Sequence, residues 1–256
     1  MQHHPVEAQV VGLRLATEAF AREATAAGPD APVPTCPRWT VRDLIAHLGM
    51  VHRWAGATLT GQRCHPPDWN AEGHEVADPV AWFVRGAEAL ARTILDADDD
   101  VRATVFLRDA PPPRIFWARR QCHETTIHAV DAVAARLGGP PPPGEADWID
   151  DAVALDGIDE LLTGFVTRGR SRFRGAGPLE FVVRPDGYDR SWAVRIADDG
   201  AVTTDRDASV AGGGPVLSGT PRALYLTLWN RAAPGSVQDD DDVLGVWSRR
   251  ARVRWS

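Results

Sequence analysis

The stretch RRQCHETTIHAVD, residues 119–131, places two histidines, a glutamate and an aspartate on one predicted helix. It comes close to H-E-x-x-H, the pattern that puts two zinc-binding histidines on one helical face. Here, however, His123 and His128 are five residues apart. At about 100° per residue they stand roughly 140° apart around the helix and do not converge on one small ion. Glu124 and His128 are four apart and share a face, and Asp131 follows three residues later on the same face. That face borders an apolar stripe through Ile127. Carboxylates and imidazoles at the edge of a core are costly unless paired or coordinated.

The best third donor is His47 in DLIAHLGM, three residues after Leu44 and four before Val51, hence on the inward face of its own helix. His52 faces differently, and His3, His4, His65 and His74 lie at the terminus or in loop-like sequence. Cys122 reads as core packing. Two imidazoles and a carboxylate with an open position suit a catalytic zinc better than a structural one. The same donors also accept nickel, iron or manganese. A helix-face hydrogen bond between Glu124 and His128, with His47 a satisfied core histidine, is the alternative reading of the same residues.

Four amphipathic helices must position these groups. Val6, Val10, Leu13 and Phe20 mark the first. The second begins at TVRDLIAHL, with Thr40 as N-cap and Asp43 completing a near capping box. The third is DPVAWFVRGAEALARTILDA, with Pro79 near its start, and the fourth runs from about Arg114 to Leu137 with one apolar stripe. Together they predict a four-helix bundle over residues 1–145. The proline run in GGPPPPGEAD ends the last helix and acts as a stiff spacer. Beyond it, residues 146–256 read as a smaller α+β domain. It has a helix in DDAVALDGIDELLTGFV, strands in PLEFVVRPDG and SWAVRIADDG, and helices in GTPRALYLTLWNR and DDVLGVWSRRARV. The acidic run Asp239–Asp242 is placed to cap the last helix.

The chain is 256 residues long with a net charge of −7, and all 28 of its basic side chains are arginine. That balance argues against a nucleic-acid surface. No apolar run is long enough to span a bilayer and no signal-peptide pattern opens the chain, so a cytoplasmic protein without a membrane partner is expected. Three cysteines make no disulfide framework.

At the histidine-bearing motifs the sequence resembles the mycothiol-dependent maleylpyruvate isomerase family, a branch of the DinB-like metal-binding four-helix bundles. CPRWTVRDLIAHLGMVHRWA is similar to the family's GWTVRDLVAHL, and RRQCHETTIHAVDA to its HE…VHRVDA, with HAVD in place of HRVD. VLSGTPRALYLTLWNR resembles the C-terminal GSASDLLLWLWGR. The resemblance implies a divalent metal, usually Zn2+, held by His47, Glu124 and His128. It also implies a C-terminal domain similar to the sterol-carrier fold that closes over the active site. Arg231 matches a position associated with binding the thiol cofactor or the substrate, with Arg222 as its weaker neighbour. The implied cofactor is mycothiol, and the implied partners are this small-molecule thiol and an electrophilic substrate.

A coordinated thiol loses its proton, so two reaction classes follow. In an isomerase the thiol adds to a cis alkene beside a carbonyl, the bond rotates and the thiol departs. In a transferase the sulfur stays on the electrophile. Asp131 is expected behind the ligands rather than among them. The rival readings are a non-catalytic metal-binding or regulatory protein and a metal-dependent hydrolase with Asp131 as base.

Overall fold

The helix that carries His47 is started by a reciprocal cap. The Thr40 hydroxyl accepts the Asp43 N–H, and the Asp43 carboxylate accepts the Thr40 N–H at 2.7 Å. The pair satisfies two amides that a helix start leaves orphaned. In the computed structural model, which describes residues 5–107, 110–168, 173, 178–207, 214–239 and 241–251, this helix, α2, runs Val41–Thr60. It ends at Gly61, whose φ of 68° is left-handed and free of strain only without a Cβ. The other long helices of the first half are α1 (Val6–Ala27), α4 (Pro79–Asp96) and α5 (Pro113–Leu137). Asp78 caps α4 through the Ala81 N–H.

The segment after α2, expected to be loop, instead forms a short helix, α3 (Pro66–Glu75). Its two leading prolines suit a helix start, but it lacks an apolar stripe, and only Gly73 is fully buried. A Cβ on Gly73 would fall 2.8 Å from Ala46 Cα, so α3 rests backbone to backbone on α2. His65 and His74 flank and end this helix and are exposed or half-buried. His3 and His4 lie outside the described residues.

The chain divides into two compact units. The first holds residues up to Phe106 together with Ala110–Ile149. In it α1 and α2 each pack against both α4 and α5, the arrangement of a four-helix bundle. Phe20, Leu44, Ile45, Leu48 and Phe83 form the heart of its core. The single apolar stripe expected of α5 is too narrow a description, because every residue from Phe116 to Ala134 is buried. The helix carries its polar groups inward by bonding them locally: Thr125 and Thr126 each donate to a carbonyl four residues back.

The second unit runs from Asp150 onward, joined by Leu107. Its first helix, α6 (Asp151–Asp159), continues as a π-helical turn over Glu160–Phe165. Strands β1 (Leu179–Pro185), β2 (Trp192–Ile196), β3 (Val202–Arg206), β4 (Val216–Gly219) and β5 (Gln238–Asp239) form one sheet in the order β3-β2-β1-β4-β5. All neighbours are antiparallel except β1 and β4. Only β1 and β2 carry the alternating apolar residues that identify a strand in sequence. β3 is largely polar, β4 has four residues and β5 two. Two helices complete the unit, α7 (Pro221–Leu228) and α8 (Val243–Arg250). Within the acidic run, the Asp239 carboxylate accepts the Val243 and Leu244 N–H groups at 2.9 Å and so caps α8. No helix among the described residues is long and apolar enough to cross a membrane.

Candidate metal centre

Two helices of the first unit bring three donor atoms together. His47 comes from α2, and Glu124 and His128 come from successive turns of α5. His128 Nε2 lies 3.3 Å from Glu124 Oε1, and His47 Nε2 lies 3.5 Å from the same oxygen. All three donor atoms fall within 4.8 Å of one another, and among the described residues no other group of histidine, cysteine and carboxylate side chains is gathered in this way. Glu124 Oε1 is buried and accepts no hydrogen bond of normal geometry among the described residues. Tetrahedral binding at about 2.0–2.1 Å sets neighbouring donors roughly 3.3 Å apart, so the two separations from Glu124 Oε1 fit a shared small cation.

Asp131, fully buried, lies one turn beyond His128, and its Oδ2 is 2.9 Å from His128 Nδ1. A carboxylate there takes the Nδ1 proton and orients the ring, so that Nε2 is the atom aimed at Glu124. Cys36 Sγ donates to the same Asp131 oxygen at 3.5 Å. Trp39 completes the wall, its ring 4.7 Å from that of His47 and 6.0 Å from that of His128. The loop bearing Cys36 and Trp39 is closed on itself by Val33 N–H to Trp39 O at 2.9 Å and Trp39 N–H to Cys36 O at 2.8 Å, and the start of α2 is tied to the segment before it by Val41 N–H to Ala31 O at 3.0 Å.

Charge at the site is set by these neighbours. Burial by itself would raise the Glu124 carboxyl, but His128, His47 and the Arg120 guanidinium outweigh it and hold the group well below the usual carboxylate range. Burial likewise disfavours charge on His128, yet Asp131 and Glu124 on either side raise it above the ordinary histidine value. His47 is lowered, chiefly by burial. Arg120, one turn before Glu124, donates from Nη2 to Glu124 Oε2 at 3.2 Å, and both side chains are buried. Neither Arg120 nor Trp39 stands out in the sequence. An arginine four residues before a glutamate reads as an ordinary exposed helix pair, and the place of Trp39 depends on loop contacts.

The remaining histidines of these helices serve elsewhere. His123 is fully buried and contributes no atom to the cluster. His52 is fully buried, with Nε2 2.9 Å from Thr125 Oγ1. The Thr125 hydroxyl donates to Gln121 O, so His52 Nε2 is the donor to Thr125. Burial lowers its pKa to about 3. The folded state thus binds fewer protons at His52 than the unfolded chain between that value and the ordinary 6.5. The stability this group lends is present above the unfolded value and is lost as pH falls. The slope is at most about 1.4 kcal/mol per pH unit. Urea unfolding should therefore show wild type losing about 2 kcal/mol more than His52→Leu between pH 7.5 and pH 5. Parallel pH dependences in the two proteins would remove His52 as the cause.

Arg231 follows α7 in the second unit and is largely buried. Its backbone N–H bonds to Leu226 O at 2.7 Å, and Nη1 donates to the Trp229 carbonyl at 3.0 Å. The side chain therefore helps close the end of α7. Arg222 sits half-buried in the first turn of the same helix. Cys122 is buried, and no disulfide links the three cysteines.

Residues 13–133 match the family described as the mycothiol maleylpyruvate isomerase N-terminal domain, and residues 152–249 match the MDMPI C-terminal domain. No curated protein matches the chain. Two solved structures share its fold. One is the crystal structure of the mycothiol-dependent maleylpyruvate isomerase, 17% identical, with a TM-score of 0.58 and 93% of each chain covered. The other is a histidine-to-alanine mutant of that isomerase, 16% identical, with the same TM-score and coverage. With both halves matched in order and the fold shared along nearly the whole length, this chain belongs to the mycothiol maleylpyruvate isomerase family.

Proposed function

We propose that the protein is a metal-dependent enzyme that activates mycothiol, either for transfer of its sulfur to an electrophile or for thiol-assisted cis–trans isomerisation of a maleylpyruvate-like substrate. The observation that carries this reading is the convergence of His47 Nε2, Glu124 Oε1 and His128 Nε2, buried and within 4.8 Å of one another. In this reading these three residues are the metal ligands, with Zn2+ as the first expectation from the donor set. A divalent ion there would leave one position open and favour the deprotonated form of a thiol at neutral pH.

The chain's own residues supply the rest. Asp131 holds the His128 ring in the tautomer that presents Nε2. Trp39 gives the site an aromatic wall that limits what approaches. Residues 1–145 hold the metal in this reading, and residues 146–256 contribute contacts to the thiol or the substrate. The assay that tests it is conjugation of an electrophile, or isomerisation of maleylpyruvate, with mycothiol present, with and without a chelator. Turnover that needs both thiol and metal supports the reading, and chelator-insensitive turnover contradicts it.

Arg231 is proposed to contact the thiol or an acidic substrate group, for which a guanidinium offers several fixed donors. Arg231→Ala is then expected to raise the apparent KM for thiol or substrate while leaving bound metal unchanged. Unaltered thiol kinetics in that variant would leave Arg231 as a helix-end charge alone.

A further inference from the structure

The carboxylate of Glu124 has two oxygens with different surroundings. Oε1 faces both imidazole Nε2 atoms, at 3.3 and 3.5 Å. Oε2 receives Arg120 Nη2 at 3.2 Å. Arg120 is only 2% exposed, and burying a guanidinium is costly unless something is gained in its place. The four-residue spacing puts the pair on one face of α5, so the helix itself sets the direction from which Oε2 is held.

We propose that Arg120 is a positioning residue of the metal centre. By holding Oε2 of Glu124 it restricts that carboxylate to one donor oxygen and favours an anionic ligand at the position left open. The inference rests on the metal-dependent reading above. A carboxylate can bind a metal through one oxygen or two, and a second bond from Oε2 would take up the position that a thiol needs. Two neutral imidazoles and one carboxylate leave a divalent ion with a net single positive charge. The guanidinium offsets the buried Asp131 carboxylate behind His128, so the centre keeps that net positive charge, which favours an anion over water as the remaining ligand.

The test uses the full chain loaded with cobalt(II) and titrated with N-acetylcysteine, with bound metal measured in each protein. Wild type should take up cobalt, show the intense visible bands of a four-coordinate ion, and gain a sulfur-to-cobalt charge-transfer band with thiol. Arg120→Met keeps length and bulk but neither charge nor donor. It should bind the thiol at least ~10-fold more weakly, with weaker visible bands as the carboxylate turns to two-oxygen binding. Arg120→Lys keeps the charge and one donor and should fall between the two. If the Met variant does not fold, Arg120→Gln takes its place with the same expectation. Thiol affinity and visible bands equal to wild type in the Met or Gln variant, or a Lys variant no better than either, would overturn the inference while leaving the metal reading intact. Failure of wild type to bind cobalt would instead overturn the metal reading itself.

Discussion

After supplementation with Zn2+, the His128→Ala and His47→Ala proteins should retain little metal, their affinity falling more than ~100-fold below wild type. In the proposed site each substitution removes one of three donors. It also leaves Glu124 Oε1 facing a gap where a ring nitrogen stood 3.3 or 3.5 Å away. His123→Ala is the control. His123 lies on the same helix and is equally buried but gives no atom to the cluster, so its loss should leave metal content unchanged. Metal analysis after gel filtration separates the cases. Equal depletion in all three variants would point to general damage to the bundle, and retention in His128→Ala would remove that residue from the ligand set.

Asp131→Asn should weaken metal binding by roughly 10- to 100-fold without abolishing it. The asparagine oxygen can still accept the Nδ1–H of His128 and hold the ring, but the negative charge that makes Nε2 a stronger donor is gone. Asp131 also accepts from Cys36 Sγ at 3.5 Å. Cys36→Ala therefore offers a milder companion that removes the thiol contact and keeps the charge. Competition with a chelator of known affinity reads both. Wild-type affinity in Asp131→Asn would reduce the aspartate to a structural partner of the helix.

Much of this arrangement is legible in the sequence for physical reasons. The Thr40/Asp43 cap announces the start of α2 and, with Leu44 and Val51, fixes the inward face on which His47 lies. The helical period alone pairs Glu124 with His128 and separates His123 from them. What escapes is what long-range contacts decide. α3 has no apolar stripe because its closest approach is backbone to backbone at Gly73 and Ala46. β3, β4 and β5 are too polar or too short to show alternation, and each is a strand because a neighbour offers it an edge: β2 to β3, β1 to β4 and β4 to β5. α5 is buried on all sides, so a one-face pattern describes only part of it. Arg120 follows the same rule: in sequence it is a routine partner for Glu124, and only its burial beside that carboxylate sets it apart.

The most direct test of the account is a native mass spectrum of the full chain as isolated, repeated with mycothiol and then with chelator added. The expected spectrum shows the chain mass plus one divalent ion, a further increment for mycothiol, and loss of both increments together on chelation. A chain that stays metal-free after Zn2+ is supplied, or that keeps mycothiol once the metal is stripped, would contradict it.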